Sequence, residues 1–447
     1  MYIKGSAAPV EKVSYRGAWL VLSMLCGLYI VSMMDRQILV LLVEPLKLQF
    51  GISDVQIGML VGTAFAIVYS FLGIPAALFV DNGNRKWLIV AGVVIWCCST
   101  AASGLATTYL MLVLFRLGLA AGEAVLTPAA HSMIGDIFPP EQRSLAASVY
   151  TAAGLVGGPL SFAGGALIIE TLNRTFESSA PASFEAWQLA LFAVSIPGFL
   201  LGLLFMIAVR EPARLNDGKT PASTSTPFVV RQLLSRKRLY AGLMLGATLA
   251  AGSSYGINYW GIETLRRDFG WSAVQAGSAM GPTMLVAGIS GALLAPWISR
   301  RLRSRGRLDA VVIVSMAFTL VTMSAMAAGS LQSDPWSWLV LLGIAAAGAL
   351  GASSNIITAM QEVAPARMRG TFVALLYMLI TLFGGGVVPV LVPWAGEVLV
   401  SMGGTLSQAL SYIGVVVSVL AMSLFWWVRA LYGDEAQKGF PTVSAVG

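Results

Sequence analysis

The chain reads as an all-α membrane protein, with twelve transmembrane helices in two pseudo-symmetric six-helix bundles. Three observations predict this. Only 11% of its 447 residues are charged and 57% are hydrophobic, where a soluble domain carries about 25% charged residues. About twelve apolar runs approach or exceed the roughly 20 residues that a bilayer-spanning helix needs. Two sequence segments recur at nearly one offset, which divides the runs into parallel halves. The runs are too long and too evenly apolar for the alternating strands of a barrel.

In order, the runs lie near 18–43, 54–80, 87–105, 108–134, 142–170, 187–209, 239–263, 272–298, 308–329, 336–360, 370–396 and 404–430. The first follows a basic tail (Lys4, Lys12, Arg16) and no small-residue cleavage pattern follows it, so no removable leader is expected. Inside it stands Met33-Met34-Asp35-Arg36-Gln37. An isolated charge at the bilayer centre costs at least about 2.5–3.5 kcal/mol, so Asp35 and Arg36 must face protein or water. The fourth run supplies partners, Arg116 and Glu123, on one helical face about 10 Å apart along the axis. These four residues are expected to line one polar cavity, with Thr127 continuing the face one turn on.

The second run opens with Phe50-Gly51-Ile52-Ser53-Asp54-Val55-Gln56-Ile57-Gly58, and the eighth with Phe269-Gly270-Trp271-Ser272-Ala273-Val274-Gln275-Ala276-Gly277. Gly62 and Gly281 complete a Gly-x-x-x-Gly pair in each copy, roughly 220 residues apart. Ser53 and Ser272 suit helix N-caps. A second echo joins the Asp136…Arg143 loop to the Glu362…Arg369 loop. The halves are placed at 1–210 and 238–447, joined by a polar cytoplasmic linker at 211–237 whose Gly218, Pro221 and Ser/Thr run suit a flexible connector.

The seventh run carries Tyr255, Asn258 and Tyr259 at one-face spacing, and Glu263 near its outer end, either gating or solvated. The tenth carries Asn355 and Thr358, and the eleventh Tyr377 and Thr381. Two readings of these neutral polar residues stand side by side: substrate contacts, or interhelical hydrogen bonds worth about 0.6 kcal/mol each.

Charge fixes orientation. Lys and Arg crowd the segments on one side, including Arg85, Lys86, Arg143 and Arg300 to Arg307, whereas the opposite side holds only Lys47, Arg174, Arg266 and Arg267. Both termini are therefore expected in the cytoplasm, and the positive net charge reflects topology, not nucleic-acid binding. The 300–307 cluster also admits an anionic-lipid reading. Cys26, Cys97 and Cys98 fall inside runs and His131 is the sole histidine. No disulfide framework, metal site or cofactor is expected, nor the nucleophile and base of an enzyme.

Asp81-Asn82-Gly83-Asn84-Arg85-Lys86, between the second and third runs, resembles the signature loop of the major facilitator superfamily, with Ala77, Asn82 and Asn84 where Gly, Arg and Gly are usual. Within it, Met34-Asp35-Arg36, Asn84-Arg85-Lys86, the Arg116–Ala124 segment and Gln142-Arg143-Ser144 resemble the spinster-like (sphingosine-1-phosphate/lysophospholipid) transporters. The resemblance implies a proton-coupled secondary transporter working by alternating access on a lysophospholipid-type amphipathic anion. It implies Asp35 as the protonated residue, with Arg36, Arg116 and Glu123 in the coupling network. Arg36, Arg116, Thr127, Tyr255, Asn258, Tyr259, Asn355, Thr358 and Tyr377 are the expected substrate contacts. Asp81, Arg85, Asp136, Arg143, Glu362 and Arg369, with Glu263 outside, are the expected gate residues.

Several alternatives remain open. Asp35 carries protons, or it is held in a permanent ion pair: burial disfavours its charge and a nearby guanidinium favours it. Arg116 exchanges between Glu123 and Asp35, or locks one of them. The inner gate charges latch the halves, or only cap helices. A transporter of small organic anions or drugs and an uncoupled lipid scramblase compete as functions. The expected setting is a monomer in a bacterial inner membrane, meeting substrate, protons and lipid.

Overall fold

A computed structural model describes residues 15–176, 184–214, 226–365 and 368–438. The basic tail residues Lys4 and Lys12, the centre of the expected linker at 215–225 and Arg367 lie outside the described residues.

Among the described residues, twelve long helices account for the architecture: α1 (Tyr15–Leu41), α2 (54–82), α3 (Arg85–Ser103), α4 (Tyr109–Ile137), α5 (Pro140–Phe176), α6 (Ala186–Ala208), α7 (Lys237–Arg267), α8 (Ala273–Arg303), α9 (Ala310–Gly329), α10 (Pro335–Val363), α11 (Arg369–Ser401) and α12 (Leu406–Gln437). Eleven are long and apolar enough to cross a bilayer, α7 being the exception. Its Gly, Ser, Tyr and Asn residues and terminal charges lower its hydropathy. It can bear them because nearly its whole length, from Leu239 to Leu265, packs inside the protein.

The helices form two six-helix bundles. In the first, α1 packs on α5 and α6, and α3 on α4 and α6; in the second, α7 packs on α12 and α10, and α9 on α10 and α12. The apolar core shows how the bundles meet. One cluster holds only first-half residues such as Leu25, Phe65 and Ile134, and another only second-half residues such as Leu243, Phe372 and Phe425. The third joins Ile38, Leu60 and Phe162 to Tyr259, Met280 and Val388. This shared core lies toward the end of the molecule with fewer Lys and Arg, termed outer below.

The repeated motifs make that seam. Ser53 and Ser272 accept from the backbone N–H of Gln56 and Gln275 at 3.2 and 3.1 Å, and both glutamines reach back to close a capping box. The glycine pairs that follow each face the other half. Gly58 and Gly62 lie against Pro389 and Gly385 of α11, and Gly277 and Gly281 against Phe162 and Pro159 of α5. A Cβ at Gly277 or Gly281 would come within 2.8 Å of a backbone carbonyl, so only glycine allows this approach. Both α2 and α11 contain a π-helical turn, Met59–Thr63 and Thr381–Gly385, and Thr63 donates to the Gly386 carbonyl at 2.5 Å where they touch.

Both flanks of the linker are described. Residues 226–235 form a helix, and Arg214 donates to the Val80 and Gly83 carbonyls at 2.6 and 2.7 Å.

Candidate functional site

Helices α1 and α4 bring Asp35, Arg36, Arg116 and Glu123 together. Arg36 donates through Nε and Nη2 to Glu123 Oε2 at 3.2 and 2.5 Å. Its guanidinium lies over the rings of Phe65 and Tyr69 from α2, 4.1 and 5.0 Å from their centroids, a favourable placement for a partly desolvated cation. Glu123 is 1% exposed, while the Arg36 side chain is 18% exposed. The pair therefore has a buried anion and a reachable cation.

In this conformer Arg116 bonds to main chain rather than to the Asp35 or Glu123 carboxylate that exchange or a lock would use. It donates to backbone carbonyls: Arg36 O at 2.8 Å, Val61 O at 3.1 Å and Asp35 O at 3.5 Å. The two-turn rise from Arg116 to Glu123 is about 10 Å, and α1 crosses where its guanidinium meets main chain. Its rigid fork stitches α1 and α2 to α4. Asp35 is 1% exposed and neither carboxylate oxygen makes a close hydrogen bond. Arg116 and Glu123 are its charged neighbours, with Thr100 and Trp96 facing it at longer range. The Thr100 hydroxyl donates to the Trp96 carbonyl at 3.1 Å.

Arg36 opens onto a cavity of about 240 Å³ between the bundles. Met33, Gln37 and Phe65 line it from the first half, and Tyr255, Asn258, Tyr259 and Thr381 from the second. Met284, Leu155, Leu350 and Pro159 make the walls largely apolar. Tyr255 and Tyr259 stack with centroids 6.3 Å apart. Of the expected contacts, Arg36, Tyr255, Asn258 and Tyr259 line this space. The others lie off it. Arg116 is spent on carbonyls. Asn355 is buried in the second bundle, donating to Val311 O at 2.7 Å and accepting from Ser299 at 3.0 Å. Thr127 faces Tyr150, Thr358 is half-buried and Tyr377 is half-exposed. Helical spacing shows which residues share a face, but not whether that face turns to the cavity or to a neighbouring helix.

The outer ends are clasped by one arginine. Arg267 of α7 contacts Glu263 at 2.6 Å in its own half, and Asp54 at 2.6 Å and Glu44 at 2.7 Å in the other. Lys47 contacts Asp54 at 2.7 Å. Glu263 is fully buried and pairs with Arg266 as well, so it is not a solvated surface acid. Its burial is tolerated because two guanidiniums flank it.

At the inner ends the charges pair within halves. Arg85 binds Asp136 and, at 2.7 Å, Glu211; Glu362 binds Arg303 and Tyr432. Arg143 donates to the Phe138 carbonyl at 2.9 Å, and Asp81 and Arg369 are exposed. Glu362 meets Arg303 because α8 packs along α10. The partners missed from sequence are Glu211, Arg303, Tyr432, Glu44 and Asp54. The one signal for them was their place near helix ends. Among the described residues, no group of three or more His, Cys, Asp or Glu is placed to hold a metal ion.

The sequence profile of the Major Facilitator Superfamily matches residues 25–389. The chain is 26% identical to an MFS-type efflux pump of Mycolicibacterium smegmatis, covering 93% of this chain and 94% of that protein. It is 25% identical to the D-galactonate transporter of Escherichia coli, covering 95% and 97%. Protein spinster homolog 3 of Danio rerio is 25% identical over 67% of this chain and 61% of its own length. Among solved structures, a bacterial homolog of the human lysosomal transporter Spinster, inward-facing and unoccupied, superposes with a TM-score of 0.77 at 26% identity, covering 95% and 98%.

Proposed function

The chain belongs to the Major Facilitator Superfamily, and on that premise we propose that it is a proton-coupled secondary transporter that moves an amphipathic anion by alternating access. One observation carries this reading: Arg36 faces the cavity between the bundles while its charge is held by the buried Glu123, beside an Asp35 without a close partner. A guanidinium paired with Glu123 is less available to a second anion. A proton taken up by Glu123 weakens that hold and releases Arg36 to an anionic head group. Asp35, next to Arg36 on α1 and a charged neighbour of Glu123, sets how readily that proton is accepted. Proton and substrate then bias one equilibrium between conformers.

The access cycle follows from the seams. Glycine contacts and the Arg267 clasp hold the outer ends together, and inner charges pair within halves, so the described arrangement is the one expected to admit substrate from inside. In the opposite conformer the outer clasp must break and Asp81, Arg85, Asp136, Arg143, Glu362 and Arg369 become available as latches. The apolar cavity walls suit an acyl chain and Arg36 its head group. The resemblance of Met34-Asp35-Arg36 and the Arg116–Ala124 segment to spinster-like transporters speaks for this substrate class. The charge bias supports an orientation with both ends inside, and a bacterial inner membrane is the proposed setting.

A second reading, transport of a small organic anion, is favoured by the cavity volume, which falls below the roughly 300 Å³ common for ligand clefts, and by the D-galactonate relative. Purified protein in proteoliposomes, offered lysolipids and small organic anions with and without a proton gradient, separates the two. Gradient-stimulated uptake of lysolipids supports the first; uptake confined to small anions replaces it with the second, and lipid movement indifferent to the gradient overturns both.

A further inference from the structure

The sole histidine and a line of hydroxyls run from the inner end of the first bundle toward Glu123. His131 is exposed and stands edge-on to the Tyr150 ring at 5.3 Å. Tyr150 is 1% exposed, and its buried hydroxyl has no close hydrogen bond. Tyr29 of α1 stacks on Tyr150 at 4.9 Å and 14°, fixing the ring, and Gly154 leaves room for Tyr29, since a Cβ there would meet it. The Thr127 hydroxyl faces the Tyr150 hydroxyl, and the Ser32 hydroxyl faces Glu123. Glu123 Oε1 is likewise buried without a close hydrogen bond. Thr127 and His131 follow Glu123 at four-residue steps, and eight residues span about 12 Å of helix. The 126–137 part of α4 packs on α1, the helix that carries Ser32 and Tyr29.

A buried phenol without a close hydrogen bond costs stability, and such a group calls for an account of its purpose. We propose that His131, Tyr150, Thr127 and Ser32 form a proton-entry route from the inner water to Glu123, with Tyr29 as a positioning residue. In each passage His131 takes a proton from water on one ring nitrogen and gives the proton of the other to the Tyr150 oxygen, as Tyr150 releases its own to Thr127. The proton then crosses through Ser32 to the Glu123 carboxylate. Every hydroxyl regains the proton it gave, so one proton from water ends on Glu123. Facing Tyr150 are Cys26 and Tyr29 from α1, Tyr69 from α2, and Thr127 and His131 from α4. Facing Glu123 are Ser32, Asp35 and Arg36 from α1, Cys97 from α3, Arg116 from α4 and Tyr259 from α7.

This inference rests on the proton-coupled reading. Its test measures two rates in proteoliposomes on the full chain with an entrapped pH dye: substrate-driven proton movement, and counterflow of substrate at equal pH. Tyr150→Phe and His131→Gln are expected to slow proton movement on the order of tenfold, since water replaces a lost hydroxyl only partly, and to leave counterflow and thermal stability unchanged. If the wild type moves protons and both variants match it, the route is overturned. If both rates fall together, the residues act on packing and the route is likewise overturned. A wild type that moves no protons with substrate refutes the coupled reading itself.

Discussion

Arg36 places two N–H donors on a single oxygen of Glu123, and the second oxygen is left buried without a close hydrogen bond. This asymmetry makes the pair breakable. A bidentate fork would use both oxygens and hold more tightly. Here one protonation site on Glu123 stays open while the other anchors the cation beside the cavity.

Glu123→Gln keeps the shape and an acceptor but removes the charge that holds Arg36. Thermal unfolding in detergent should register a loss of about 1–3 kcal/mol, the cost of weakening a charge-assisted buried bond. Transport should become less sensitive to pH. An unchanged pH profile would remove Glu123 from the coupling network.

Arg116→Lys retains the positive charge but not the fork that reaches the carbonyls of α1 and α2. A lysine makes fewer fixed hydrogen bonds there, so a loss of about 2 kcal/mol in stability and a strong fall in transport are expected. A stable variant with normal transport would show that carbonyl stitching is dispensable.

Arg267→Ala should release the outer ends. Cysteine accessibility or distance measurements between α1 and α7 should report a larger outward-open population. The clasp has a pH sign. Partial burial pushes the Glu44 carboxyl up, but hydrogen bonding with Glu263 and the charges of Arg267 and Lys47 outweigh this and hold it below its ordinary value of 4.5. A depressed acid stabilises when ionised, so its contribution is complete above 4.5 and is lost as pH falls through the lower folded value. Between pH 6 and 8, roughly, outer closure should not vary through Glu44.

Gly281→Val would drive a branched side chain into the Pro159 carbonyl of α5, where even a Cβ comes within 2.8 Å. The outer seam cannot then close. Accessibility of outer-end cysteines should rise and transport should fall, although each bundle retains its own core. A variant that seals normally would contradict the glycine seam.

The two-bundle plan was legible because hydropathy, charge bias and the serine–glutamine–glycine repeat are local properties of the chain. The meeting of Asp35, Arg36, Arg116 and Glu123 was legible because apolar runs leave few partners for a charge. Which atoms pair was not. Arg116 found carbonyls and Arg36 took Glu123 because of the crossing of α1 over α4, which spacing along one helix does not contain. Asn355 and Tyr259 look alike as polar residues on apolar helices. Helix rotation turned one into a second-bundle hydrogen-bond network and the other toward the cavity. Glu263 was open to a solvated reading because its flanking arginines also signal topology.

The most direct measurement is gradient-driven accumulation by Asp35→Asn in proteoliposomes, with counterflow at equal pH run beside it. The account predicts that accumulation is abolished while counterflow persists. Accumulation equal to wild type at every imposed gradient would contradict it.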